Sequence, residues 1–398
     1  MRNKLIVMGV TFVILIALTP LIFGKLMNAK YNQMLNSLRE RGIKIEVIED
    51  KSTYLKTDKI LNVTIPSKLL NTEGVVKSIN LKIETKFNNL PVTNVLFLGK
   101  VQRISLYDDF KNLESKINSF AKKYVSFVVT TPNFKNYAYT LKDINIEDDM
   151  RIGIEKIKGT FSFGDIIKNS LNISDIYAKN KKGLIEIKNF KNRFEKSKDG
   201  SFSKSEFNVN IDFKPFKLQI DNVYSTLKTV IGKKVDVIST LGFTSLKSPN
   251  VANADKFKIT TEIKGIEKEI LEKISKSKDR FEREQYINKA FEKGFSININ
   301  SNVKDINAMQ QKLGGYDLSL HIKFLPVKNI QQKINSNDLK FIEAKLHLVT
   351  TPQIATLIMN VYPKSAFLFA LAKKENGRVE LNLELKDGKL YSDGQLVK

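Results

Sequence analysis

The chain has 398 residues with 66 lysines and arginines, 42 aspartates and glutamates and no cysteine, which gives a formal net charge of +24. The lack of cysteine excludes disulfide bonds, thiolate catalysis and cysteine-ligated zinc or iron–sulfur sites. The basic residues are spread along the chain in ones and twos, which is typical of a solvated surface or of one near anionic headgroups and disfavours nucleic acid as a partner.

An uncharged segment lies close to the N-terminus. Residues 5–23 carry no charge, and at about 1.5 Å of rise per residue a helix of this length roughly matches a ~30 Å hydrocarbon core. The segment predicts a single-pass transmembrane anchor over residues 1–24. A cleaved signal peptide is the alternative, because Arg2 and Lys4 precede the apolar run, although no Ala-x-Ala-like triplet precedes Lys25.

The charges that flank this segment conflict over its orientation. Two basic residues precede it and four follow between residues 25 and 41, so the positive-inside count favours a cytoplasmic body. A short basic tail before a large domain is instead typical of a signal anchor, and large domains cross the membrane largely regardless of their charge. We therefore expect an extracytoplasmic body.

An amphipathic helix is predicted directly after the anchor. Met27, Tyr31, Leu35 and Leu38 recur at helical spacing, and Gly42 is a typical C-terminal stop. We expect a juxtamembrane helical stalk over residues 25–42. Fully helical, it would raise the rest of the chain by up to about 25 Å from the membrane.

The apolar period changes to two at residue 43. Ile79, Leu81 and Ile83 alternate with polar residues, as half-buried antiparallel strands do. The same alternation covers residues 43–47, 79–87, 137–146, 152–163, 184–190, 207–213, 257–263, 295–299, 318–324 and 379–385. The predicted fold is α+β and mainly β: a transmembrane helix and stalk, then a body over residues 43–398 of long antiparallel sheets that are apolar on one face and covered by a few helices. A sub-boundary is expected near residue 250.

Helical spacing returns at four places in this body. Apolar residues lie on one helical face over residues 106–124, where the helix should pack on a sheet. A more charged helix is predicted over 266–291, and two short helices over 353–359 and 365–372. A hairpin with a tight turn at Asp387-Gly388 closes the chain.

The sequence offers no catalytic, cofactor-binding or metal-binding motif. The two histidines, His321 and His347, alternate with apolar residues and are predicted to face solvent. The acidic run at residues 147–149 lacks the spaced oxygen donors and turn glycine of a calcium loop, so we interpret it as a turn. An enzyme is disfavoured but stays open, because a carboxylate pair assembled from distant strands leaves no local signal.

One strand carries an unusually long apolar strip. Phe207, Val209, Ile211 and Phe213 alternate along it, and Phe216 follows at the start of the next segment. These residues belong to the core, or they line a groove that accepts an acyl chain or an extended apolar segment of a partner.

Both ends of the chain resemble the YdgA-like family of bacterial envelope proteins, a domain of unknown function numbered 945. The N-terminal likeness rests on the anchor ending in Gly24-Lys25, the amphipathic stalk and the strand from Ile43. The C-terminal likeness rests on the closing hairpin with Asp387-Gly388 and Asp393-Gly394, although Asp393 stands where the family usually has asparagine. The resemblance implies an inner-membrane protein with a periplasmic body, and it supplies no site residues. In plan the chain also resembles AsmA-like envelope proteins, which are thought to handle lipids.

The leading hypothesis is a non-enzymatic periplasmic scaffold that binds lipid or an envelope protein through its sheet surface. One alternative is a hydrolase of envelope or cell-wall polymer that uses two carboxylates. Another is a structural component of a larger membrane-bound machine. The sequence does not determine the oligomeric state.

Overall fold

The computed structural model describes residues 25–53, 55–69, 74–89, 94–147, 150–249, 251–277, 279–308, 311–336 and 338–397. The chain divides into two compact units, Met1–Ile176 and Tyr177–Lys398. The predicted transmembrane segment, residues 5–23, lies outside the described residues. In the part that is described, no helix is both long and apolar enough to cross a bilayer.

The first unit begins with α1, residues 25–40, and continues with strands and one further helix. Its elements are β1 (Lys44–Asp50), β2 (Lys56–Pro66), β3 (Val76–Asn88), β4 (Val95–Leu106), α2 (Lys111–Tyr124), β5 (Ser126–Thr131), β6 (Asn136–Leu141), β7 (Ile144–Glu147), β8 (Arg151–Glu155), β9 (Lys158–Ser162) and β10 (Ile167–Lys179), the last of which runs across the division. Asp148 and Asp149 of the acidic run lie outside the described residues.

The second unit has longer strands, several of 14–16 residues. Its elements are β11 (Gly183–Ser197), β12 (Gly200–Phe213), β13 (Phe216–Ile231), β14 (Lys234–Ser248), β15 (Ala252–Glu267), α3 (Lys268–Lys276), α4 (Arg280–Lys293), β16 (Phe295–Ala308), β17 (Gln311–Phe324), α5 (Ile330–Asn335), β18 (Ile342–Thr350), α6 (Pro352–Val361), α7 (Ala366–Ala370), β19 (Lys373–Glu375), β20 (Arg378–Lys386), β21 (Lys389–Ser392) and β22 (Gln395–Leu396). The prediction of a mainly β chain with a few helices is therefore confirmed. Residue 250, the expected sub-boundary, lies outside the described residues.

The core of the first unit forms between α1 and its sheet. The strands pair antiparallel in the order β1-β2-β3-β4-β5-β6-β9-β10. Tyr31 of α1 is fully buried against the rings of Phe87 and Phe97, whose centroids lie 5.9 and 6.5 Å away. Its hydroxyl donates a hydrogen bond of 3.3 Å to Thr85, and burial raises the pKa of the phenol. Leu35, one helical turn further on, is buried in the same cluster.

The end of α1 has the geometry that its sequence predicts. Gly42 has a φ of +90°, and the amide of Ile43 donates a hydrogen bond of 3.1 Å to the carbonyl of Leu38, as in a Schellman C-cap. The predicted helix is present, but its apolar side packs on the sheet. The helix is part of the folded first unit. It does not project from that unit as the predicted stalk would.

The second unit is a meander in which sequence neighbours pair antiparallel from β11 to β18, followed by β20, β21 and β22. One part of this sheet is covered by helices. Leu348, Leu381 and Leu383 are buried in a cluster that includes Ala355 of α6 and Phe369 of α7. Burial along β20 alternates accordingly, because one face of the strand is packed and the other is solvated.

Burial along β12 follows a different pattern. All 14 of its residues are half-buried, on both faces of the strand. A strand under a second layer would alternate between buried and exposed residues, as β20 does. The side chains of β12 are therefore shielded by their cross-strand neighbours and not by a covering layer. The expected one-sided burial holds for β20 but not for β12.

A row of irregular residues crosses the strands of the second unit at one level. Asn189 and Asn222 have left-handed backbone conformations, and the register of β12 shifts against β11 and against β13 beside them. The side chain of Asn208 accepts from the amide of Asn222 over 2.7 Å, and Asn222 donates to Thr244 over 3.1 Å. Lys256, also left-handed, continues the row in β15. Such bulges bend a strand and increase its local twist.

The helical predictions differ from the structure mainly around residues 266–291. Two helices, α3 and α4, occupy this range, because Asp279 caps α4 by accepting from the amides of Phe281 and Glu282. Such an N-cap starts a new helix and ends the preceding run. The short helix α5 had no counterpart among the predictions.

Candidate functional site

The structure brings together the five residues of the predicted apolar strip. Phe207, Val209, Ile211 and Phe213 lie on one face of β12, and Phe216 of β13 lies directly opposite Phe213. They are half-buried, except Phe216, which is 43% exposed. They form an open sheet surface and belong to neither of the two buried clusters.

Neighbouring strands extend this surface. Ile211 is flanked by Ile185 of β11 and Leu218 of β13. Val209 is flanked in the same way by Ile187 and Ile220. We call this surface the apolar face, and its residues are Ile185, Ile187, Phe207, Val209, Ile211, Phe213, Phe216, Leu218 and Ile220. Sequence reasoning identified β12 and Phe216 at the start of β13, and strand pairing is needed to place Ile185 and Ile187 of β11 beside them.

The opposite side of the same strands is polar. Asn210 and Asp212 alternate with the apolar residues of β12, and Asn210 donates to Glu186 over 3.4 Å. Lys188 pairs with Glu186 at 3.0 Å and Lys217 with Asp212 at 3.1 Å. We call this side the polar face. The sheet is therefore amphipathic, with ion pairs on one face and uncovered aliphatic and phenyl side chains on the other.

The helices α6 and α7 cover another part of the sheet and stop short of the apolar face. The cluster beneath α6 and α7 draws its strand residues from β17, β18, β20 and β21, and none of its described members comes from β11, β12 or β13. Ile185 at the far side of the apolar face is 44% exposed. Contiguous uncovered apolar surface of this kind is typical of a site that binds an apolar ligand or partner.

Both histidines face solvent, as predicted. His321 contacts the side-chain oxygen of Asn298, and His347 lies 2.5 Å from that of Asn382. A cavity of about 560 Å³ next to His347 also contains Glu375 and Glu380. Two carboxylates therefore line one cavity beside a histidine.

This arrangement lacks the features of an acid–base pair. Glu380 already accepts from Asn382 over 3.0 Å, and its side chain is 45% exposed. A general acid needs a carboxyl whose pKa is raised by burial or by a second carboxylate. Hydrogen bonds that stabilise the ionised form lower the pKa of several carboxyl groups in the described part of the chain, the direction opposite to that of a general acid: Asp50, Glu114, Asp221, Glu262, Asp338 and Asp393. The described residues also contain no group of three or more metal-ligating side chains.

Comparison of the chain with protein-family models, with curated proteins and with solved structures finds no match. The resemblance to the YdgA-like family therefore stays a prediction from the two ends of the chain.

Proposed function

We propose that this protein is a membrane-anchored envelope protein of YdgA-like type that binds the acyl chains of a lipid on its apolar face and has no enzymatic activity. The supporting observation is the amphipathic, single-layer sheet of β11, β12 and β13. Its apolar face consists of aliphatic and phenyl side chains without an indole donor, a surface that suits hydrocarbon. The polar face carries ion pairs and is hydrophilic, so only the apolar face is suited to lipid.

A charge placed within the apolar face is expected to abolish lipid binding. The full chain purified in mild detergent should carry lipid that mass spectrometry detects, and Ile211→Asp should reduce the amount of this lipid at least about tenfold, because a carboxylate in contact with hydrocarbon is strongly unfavourable. The matched control is Asn208→Asp, which puts the same group on the polar face three residues away and keeps the oxygen that accepts from the Asn222 amide, so it should leave the lipid unchanged.

Two outcomes would contradict the proposed function. One is equal lipid retention by the Ile211→Asp and Asn208→Asp variants. The other is recovery of a stoichiometric protein partner in place of lipid, which would favour a structural role in a larger membrane-bound machine.

We also propose that the chain lies in the bacterial inner membrane with its body in the periplasm. Alkaline phosphatase fused to the C-terminus is expected to be active, because it forms its disulfides only in an oxidising compartment. The same fusion to a chain that lacks residues 1–24 should be inactive. An inactive fusion to the full chain, present at a normal level, would place the body in the cytoplasm.

A further inference from the structure

A second candidate site lies in the first unit, on the side of its sheet that faces away from α1. A cavity of about 650 Å³ opens there over β3, β4, β5 and β6, within the range typical of small-molecule sites. Leu98 and Lys100 of β4 line the cavity. Phe97 points to the opposite face of the same strand and packs in the α1 core. The cavity is therefore separate from that core.

One row of the cavity is basic. Lys82 of β3 lies directly opposite Lys100 of β4, and Lys100 lies opposite Ser126 of β5. Lys142 extends the row, since its amide donates to the carbonyl of Ser126 over 3.0 Å. Like charges directly opposite each other in an antiparallel pair destabilise a sheet. Among the described residues, none of these three lysines forms an ion pair with a carboxylate.

The adjacent row is largely apolar. Leu98 and Val128 pair directly across β4 and β5, and Ile60 of β2 lies in the same row beyond Glu84. Val128 is 38% exposed. Glu84, the carboxylate of this row, pairs with Lys86 at 2.5 Å and not with a lysine of the basic row.

We propose that this cavity binds a long-chain fatty acid. The carboxylate of the ligand lies against Lys82, Lys100 and Lys142, which relieves the repulsion within the basic row. The acyl chain lies along Leu98 and Val128, on the side of the row away from Glu84. The apolar row is one side chain wide and runs across strands about 4.8 Å apart, so it accommodates one chain and not the two of a phospholipid. This site belongs to the first unit and does not depend on the function proposed for the apolar face.

Photo-crosslinking tests this proposal on the full chain in non-ionic detergent. The probe is a palmitic acid analogue with a diazirine in its acyl chain, and labelled peptides are identified by mass spectrometry. We expect labelling of the peptides that contain Leu98 and Val128. Lys82→Gln combined with Lys100→Gln should reduce this labelling about tenfold, because the carboxylate of the probe loses its contacts with two exposed ammonium groups.

Two controls separate charge recognition from unspecific effects. Lys116→Gln combined with Lys122→Gln removes the same charge from exposed positions on α2 and should leave labelling unchanged. The methyl ester of the probe has the same chain without the negative charge and should label Leu98 and Val128 at least about tenfold less. Val128→Asp places a carboxylate in the apolar row and should abolish labelling there.

The outcomes distinguish this site from the apolar face. Equal labelling of Leu98 and Val128 by the acid and by its ester, or no effect of the lysine substitutions, would overturn the fatty-acid site. Labelling confined to β11, β12 and β13 would also overturn it while supporting the proposed function. A stronger signal at Val128 from a two-chain phosphatidylglycerol probe would refute the assignment to a single chain.

Discussion

Tyr31→Ala is expected to lower the free energy of unfolding of the first unit by about 3–5 kcal/mol, the usual cost of truncating a buried aromatic side chain. Tyr31 is fully buried between α1 and the sheet and contacts the rings of Phe87 and Phe97. The substitution leaves a cavity where helix and sheet meet. Hydrogen exchange of the amides of β2, β3 and β4 measures the loss directly.

Tyr31→Phe is the matched control for this substitution. It keeps the ring and removes only the hydrogen bond from the hydroxyl to Thr85, so we expect a loss of about 1 kcal/mol. A loss below about 1 kcal/mol for Tyr31→Ala would contradict the packing of α1 on the sheet. It would restore the interpretation of residues 25–42 as an independent stalk.

Leu381→Ala is expected to cost about 2–5 kcal/mol in the second unit, because Leu381 is 2% exposed beneath α6 and α7. Ile211→Ala is the matched comparison on the apolar face. Its side chain is only half-buried and has no covering layer, so its truncation should cost about 1 kcal/mol or less. Urea denaturation of the two variants, followed by circular dichroism, gives the difference.

The comparison of Leu381→Ala with Ile211→Ala tests whether the apolar face of the second unit lacks a covering layer. Similar losses for the two variants would mean that the apolar face is packed in solution. That result would remove the observation on which lipid binding rests.

The sequence predicts the periodic elements of this chain well. The alternation along β12 places Phe207, Val209, Ile211 and Phe213 on one face, because side chains of a strand point to opposite sides in turn. Several strands lie outside the predicted ranges: β2, β4, β5, β10 and β14. In β4 the first residues, Val95 to Leu98, form a continuous apolar run that carries no period. Such a run does not distinguish a strand from a short buried helix.

Other features depend on contacts that no local pattern contains. The apolar face needs the pairing of β11, β12 and β13, which places Ile185 and Leu218 beside Ile211. The basic row needs the register that sets Lys82 opposite Lys100. In contrast, Asp279 is a residue type that typically caps a helix N-terminus, so the sequence contains a signal that divides the predicted helix over residues 266–291 into two. The amphipathic pattern of α1 also indicates that the helix packs on another element, because its apolar side has to be buried against a surface.

The row of left-handed residues at Asn189, Asn222 and Lys256 has a consequence for how the strands of the second unit find their alignment. Where a sheet has no covering layer, a slip by one residue moves apolar side chains between two uncovered faces and not out of a packed core, so side-chain burial specifies the register weakly. Bulges supply the missing information, because a slipped hairpin would carry its left-handed residue out of the row and break the Asn208–Asn222–Thr244 hydrogen bonds. The asparagines of this row therefore hold β12, β13 and β14 in register and protect the uncovered part of the sheet against misaligned pairing.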